Sequence, residues 1–243
     1  MNAPAAAGAA AAAIGAAGLA VYFGAAPTSQ VYGRTIFRGR PGRRQLALTY
    51  DDGPNPRCTA ALLEALERHA ARATFFLIGR WAEREPGLVR ELRAAGHAIG
   101  NHTYSHPKLP LLTSAQVQEE LARCRAAIEE AGVELDELGG DALMRPPYGR
   151  RRPGTLRAVR AAGYVPVTWS LTAYDWRPSA TVDKLARRCA RASDGDVILL
   201  HDGASSEPAG DREASVAATE RTLERFTAEG YSFVSVPELV DAE

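Results

Sequence analysis

The sequence lacks most of what would mark a specialised polymer. It carries no net charge, because 29 Lys and Arg balance 29 Asp and Glu. No global attraction toward nucleic acid or an anionic surface follows from that balance. Basic clusters at Arg38–Arg44 and Arg150–Arg152 are local, suited to phosphate, to an anionic polymer or simply to water. No aromatic residues interleave with them, which speaks against nucleic acid as a partner. Only three cysteines are present, Cys58, Cys124 and Cys189. An odd number without short spacing excludes a disulfide framework and a zinc ribbon, and leaves room for one disulfide at most. Cys124 and Cys189 fall in helical patterns, where cysteine packs as a small apolar residue. Internal repeats and long linkers are also missing, so one large domain is expected.

The N-terminus lacks charge altogether: no charged side chain precedes Arg34. Residues 1–26 are mostly alanine, and the uncharged stretch Ala5–Gly24 is about the ~20 residues of a membrane span. Its strong apolar members are few: Ile14, Leu19, Val21 and Phe23. No Lys or Arg stands before it, unlike an ordinary export signal. Arginines from Arg34 to Arg44 follow it, and the positive-inside rule would then keep the domain on the cytoplasmic side. Residues 1–30 are therefore read as a separate segment (anchor, export signal or tail) and residues 31–243 as the domain. Membrane attachment through residues 5–24 is the expectation, with a membrane-associated or exported protein, or one on the cytoplasmic face.

What is present is a regular alternation. Strands are expected at Gln45–Tyr50, Ala73–Ile78, His97–Gly100, Leu143–Arg145, Tyr164–Ser170, Val197–Leu200 and Tyr231–Val234. Helices are expected at Cys58–His69, Gly87–Ala95, Ser114–Ala131, Thr155–Ala162, Thr181–Ala192 and Val216–Glu229, several closed by a glycine. Strand and helix alternate about seven times, the pattern of an α/β barrel of parallel strands with helices outside. Chemistry in such a barrel sits at the C-terminal ends of the strands. The unusual residues fall there: "DDGP" from Asp51, "NHTYSH" from Asn101, "RPPYG" from Arg145, "YDW" from Tyr174 and "HDG" from His201.

His102 and His106 are four residues apart, a spacing that on a helical turn lets two imidazoles share a metal. The glutamate of the HExxH pattern is missing, so a general base must come from elsewhere. An aspartate from the first strand end completes a set of two His and one Asp, a catalytic zinc arrangement with one position open. The ligand types favour zinc, with cobalt or manganese as alternative divalent ions. One of Asp51 and Asp52 is then held by a cation while the other stays free to take a proton, and adjacency alone does not say which. Arg145 is placed to pair with a carboxylate. The rigid Pro146–Pro147 pair would aim the Tyr148 N–H at a reacting oxygen. His201 can donate a proton to a leaving group, with Asp175 raising its pKa. Trp176 and Leu199 can wall a small apolar pocket, although a Trp is more often core. His69 and His97 read as structural.

The five segments TYDDGP, HTYSH, RPPYG, the DW of SLTAYDW, and LLHDG, in this order over roughly residues 45–235, resemble the polysaccharide deacetylase family. This is the NodB homology domain of carbohydrate esterase family four. The resemblance implies a distorted (β/α) barrel, commonly of seven strands, that removes N- or O-acetyl groups from sugars with a divalent metal. It makes residues 31–243 the catalytic domain and an acetylated glycan its substrate. It implies that Asp52, His102 and His106 hold the metal and that Asp51 is the general base, oriented by Arg145. It makes the Tyr148 N–H an oxyanion donor and His201 the general acid tuned by Asp175. Leu199 and Trp176 would line the pocket for the acetyl methyl. Thr172 departs from the family pattern, which often has an aspartate there. Two other functions stay open: a deformylase or other amide hydrolase acting on a lipid-linked sugar, and a non-catalytic glycan-binding protein on the same barrel.

Overall fold

The computed structural model describes residues 18–207 and 209–241. The expected anchor at residues 5–24 lies mostly outside that range. Among the described residues no helix is long and apolar enough to cross a membrane.

Strands β1 (Gln45–Asp51), β2 (Ala73–Leu77), β3 (Ala98–Asn101), β5 (Asp141–Met144) and β8 (Val197–His201) carry the rim. Short β4 (Glu137–Leu138), β6 (Tyr164–Pro166), β7 (Leu171–Thr172) and β9 (Ser232–Phe233) complete a nine-stranded sheet. Its main path runs β4-β5-β3-β2-β1-β8-β7, with β6 beside β5 and β9 beside β1. Among the described residues every pairing of these strands is parallel except β4 with β5. The helices are α1 (residues 18–25), α2 (Cys58–Arg68), α3 (Gly79–Ala82), α4 (Pro86–Ala94), α5 (Ser114–Glu130), α6 (Pro153–Ala161), α7 (Val182–Cys189), α8 (Glu213–Ala228) and α9 (Val236–Asp241).

The period-two geometry of β1 divides its side chains between two cores. Leu46, Leu48 and Tyr50 pack outward with Leu62 and Leu66 of α2 and Leu223 of α8. Ala47 packs inward with Phe76, Leu143, Val167, Val197 and Leu199. Thr49 and Asp51 share Ala47's face, so the first aspartate points into the barrel.

The stretch expected as one strand over Tyr164–Ser170 is two. The chain pairs with β5 through Pro166, and the Val167 N–H still donates to the Met144 carbonyl at 2.8 Å. It then crosses to the opposite edge, where Ser170 N–H reaches the Val197 carbonyl at 3.1 Å and β7 pairs with β8. One chain segment thus closes the sheet into a distorted barrel. Ile36 bridges Val167 across this seam. The chain is already hydrogen-bonded into the domain at Gly24, six residues before the boundary expected at residue 30.

Elements absent from the sequence reading are short. α3 has four residues, too few for a period. α9 follows a capping pair that was legible: Ser235 N–H donates to Glu238 Oε2 at 2.8 Å, and Ser235 Oγ faces the Glu238 N–H. All three cysteines are free and buried. His97 packs beneath β2, its Nδ1 facing the Ala73 N–H.

Candidate active site

Parallel register brings the strand ends to one rim: Asp51 lies beside both Phe76 and His201, and Asn101 beside Leu77 and Met144. Asp52 is the first residue past β1 and turns by adopting a left-handed φ of 73°. The chain can approach closely here only because residue 53 is glycine; a Cβ would stand 2.2 Å from a carboxylate oxygen of Asp202.

His102 and His106 converge as the sequence requires, but on a loop and not on a helical turn. Two left-handed residues, Thr103 (φ 67°) and His106 (φ 61°), fold the loop back. Side chains hold it: Asn101 Oδ1 accepts the Thr103 N–H at 2.8 Å and Thr103 Oγ1 accepts the His106 N–H at 3.1 Å. The ring centroids end 4.9 Å apart. A helix would have used backbone bonds for this; a loop bends more sharply and lets both rings face the barrel mouth.

Asp52, His102 and His106 each offer a ligand atom, all within 4.8 Å of one another and all on buried side chains. Asp52 Oδ1 lies 3.5 Å from His102 Nε2 and 3.3 Å from His106 Nε2. His102 donates its Nδ1 proton to the Arg145 carbonyl at 2.8 Å, leaving Nε2 bare toward the site. Burial pulls the pKa of both imidazoles far below the ordinary value, so both are neutral and able to bind a cation. Burial also pushes Asp52 up to about 6, with His201 opposing it. Asp52 Oδ1 is buried without a hydrogen-bond partner among the described residues, and so is His106 Nδ1. A buried carboxylate oxygen that accepts no hydrogen bond among the described residues is a cost unless a cation sits beside it. Two nitrogens and one oxygen with room for a fourth ligand fit a divalent ion of the zinc type.

Asp51 has a different partner. Arg145, fully buried, donates from Nη1 to Asp51 Oδ1 and to Thr49 Oγ1, both at 2.8 Å, and from Nη2 to the Thr168 carbonyl at 3.0 Å. The guanidinium also lies 4.2 Å over the Phe76 ring. Asp51 Oδ2 points toward the histidines, 3.7 Å from His102 Nε2.

Opposite stands His201. Its Nδ1 lies 2.9 Å from Asp175 Oδ1, and its backbone N–H donates to Asp175 Oδ2 at 2.6 Å. Burial alone would lower its pKa, but the Asp175 charge and hydrogen bond override that and hold it at about 9. Ser215 of α8, which sequence reasoning missed, donates to Asp175 Oδ2 at 2.7 Å. No local pattern marked Ser215, because its partner is 40 residues away.

Asp51, Asp52, His102, His106 and His201 line a cavity of about 440 Å³. Leu199 and Trp169 form apolar wall, with Trp176, Tyr148 and Arg150 toward the mouth. Trp176 is not core: it is 43% exposed and meets His201 edge-on at 5.2 Å. Trp169 was missed, since it reads as one more apolar residue of a strand. Tyr148 is 52% exposed, its ring 4.6 Å from that of His106. Its backbone is left-handed (φ 59°, ψ 9°), a conformation that costs a non-glycine residue about 1–3 kcal/mol. Thr172 pairs with Leu199 beneath the pocket, its Oγ1 accepting the Tyr174 N–H at 3.3 Å. Asp202, also missed, is fully buried against Thr59 Oγ1, and burial pushes it up to about 7.

The family model described as "Polysaccharide deacetylase" matches residues 38–167. A peptidoglycan-N-acetylglucosamine deacetylase of Bacillus cereus is 34% identical over 206 residues, covering 84% of this chain and 70% of the relative. A chitooligosaccharide deacetylase of Azorhizobium caulinodans is 33% identical over 78% of this chain and 91% of its own. The structure of a family 4 carbohydrate esterase from Streptomyces lividans, solved with acetate, superposes with a TM-score of 0.68 at 33% identity, covering 78% of this chain and 91% of that one.

Proposed function

The chain belongs to the polysaccharide deacetylase family and is a carbohydrate deacetylase, and we propose that it hydrolyses N-acetyl groups of glucosamine units in a glycan with a divalent metal. The observation that carries the metal is the buried Asp52 Oδ1, without a hydrogen-bond partner among the described residues and set between two neutral imidazoles. A zinc-type ion held by Asp52, His102 and His106 would supply Lewis acidity toward water and the acetyl carbonyl.

The chain's own residues do the rest. Arg145 orients Asp51, which takes a proton from the attacking water. The water oxygen bonds to the acetyl carbon, and the Tyr148 N–H donates to the oxygen that gains charge. A well-placed donor of this kind is typically worth about 3–4 kcal/mol. His201, held protonated by Asp175, gives its proton to the sugar nitrogen as the C–N bond breaks. Acetate and a free amine leave. Leu199, Trp169 and Trp176 enclose the methyl group and exclude water.

The test is acetate release from N-acetylglucosamine oligomers and peptidoglycan, with a formate assay on N-formyl sugars beside it. Asp51→Asn is expected to lose on the order of 10²–10⁴ in kcat and to retain the metal. Asp52→Asn is expected to lose both. Equal metal content in the two variants, by elemental analysis, would overturn the division of roles; formate without acetate would overturn the acyl group.

A further inference from the structure

The turn that carries Tyr148 is left-handed at two successive residues, Tyr148 (φ 59°) and Gly149 (φ 62°). Such a turn persists only where its surroundings over-determine it. Ahead of it stand Pro146 and Pro147, with fixed φ. Behind it stands Arg151, which is 3% exposed. Its Nη1 donates to the Gly149 carbonyl at 2.7 Å, and its Nη2 to the carbonyls of Ala26 at 2.8 Å and Ser29 at 3.1 Å. The Arg151 backbone N–H donates to the Gly24 carbonyl at 2.9 Å. Among the described residues all three side-chain acceptors are neutral carbonyls. Burying a cation there without a carboxylate is costly, which marks the contact as more than a surface pairing.

The N-terminal side of this joint is equally tight. A Cβ on Gly24 would stand 2.5 Å from the Arg151 carbonyl oxygen. Ala25 lines the same cavity as Tyr148 and the histidines. Pro27 accepts from Thr168 Oγ1 at 2.8 Å, on the residue whose carbonyl holds Arg145.

We propose that Arg151 is a positioning residue for the Tyr148 turn and that residues 24–29 are its outer brace, so that the N-terminal segment completes the active site. The proposal rests on the reading above in one respect: the Tyr148 N–H is the oxyanion donor.

The test uses the full chain and approaches the joint from both sides, with Arg151→Met and Gly24→Ala, and with Arg151→Lys as the conservative variant. Complete loss of an oxyanion donor costs about 10²–10³ in kcat, so a displaced one is expected to cost about 10- to 100-fold. KM and metal content should stay near wild type, and Arg151→Lys should recover part of the rate. Hydrogen exchange at the amides of residues 148–150 should quicken in Arg151→Met and Gly24→Ala. A lowered Tm with kcat within about twofold of wild type in both variants would overturn the proposal, leaving Arg151 a structural residue. Should the wild type release no acetate, the oxyanion reading falls on its own. Unchanged exchange at residues 148–150 would then overturn the brace as well.

Discussion

Two adjacent buried carboxylates repel, and the surroundings relieve this by sending them to different partners. Asp51 meets the Arg145 guanidinium, and Asp52 meets two neutral imidazoles. A third carboxylate, Asp175, is spent on His201, and that pair sets a pH dependence. The folded pKa of His201, about 9, is above its ordinary 6.5. The stability it contributes is therefore complete below about pH 6.5 and is lost as pH rises through about 9. Metal-free wild type should be more stable than His201→Gln at pH 6.5, with the gap in Tm narrowing toward pH 9.5. A gap that stays constant over that range would remove the Asp175–His201 pair from the account.

At the scale of elements, the His102–His106 loop depends on a residue outside the proposed ligand set. Asn101 ends β3, and its Nδ2 donates to the Leu121 carbonyl of α5 at 2.9 Å and to Tyr164 OH at 3.0 Å. Its Oδ1 holds the Thr103 N–H. The side chain therefore ties a strand, a helix and the His102–His106 loop together. Asn101→Ala would leave buried donors and acceptors unpaired, a loss of about 1–3 kcal/mol. Residues that orient metal ligands typically matter about 10- to 100-fold in affinity. Calorimetric zinc titration of Asn101→Ala should weaken within that range, with Tm lowered. Wild-type zinc affinity in a destabilised variant would make Asn101 purely structural.

For the whole molecule, the barrel is a nearly continuous parallel sheet, with the candidate site at one end. A cation bound there stabilises the folded chain only, by about 2.7 kcal/mol at a hundredfold excess over Kd. For a chain of this size that is a rise in Tm of roughly 5–11 °C. Zinc should produce it in wild type, a chelator should reverse it, and Asp52→Asn should show little of it. An equal rise in Asp52→Asn would place the ion elsewhere. Closure itself comes from Tyr164–Thr172, which leaves β5 and joins β8, with Ile36 across the seam.

The alternation of strands and helices was legible in the sequence because periodicity and helix stops are local properties, carried by neighbouring residues. So was the set of strand ends bearing Asp51, His102, Arg145, Asp175 and His201, since a parallel barrel directs such residues to one rim. What the sequence could not contain was the contact between distant segments. Asp175 and Ser215 meet across 40 positions, Arg151 and Ala26 across 125. Those distances close only when the sheet closes. The left-handed turns at Asp52, Thr103, His106 and Tyr148 belong with them: none is a glycine, and packing holds each in place.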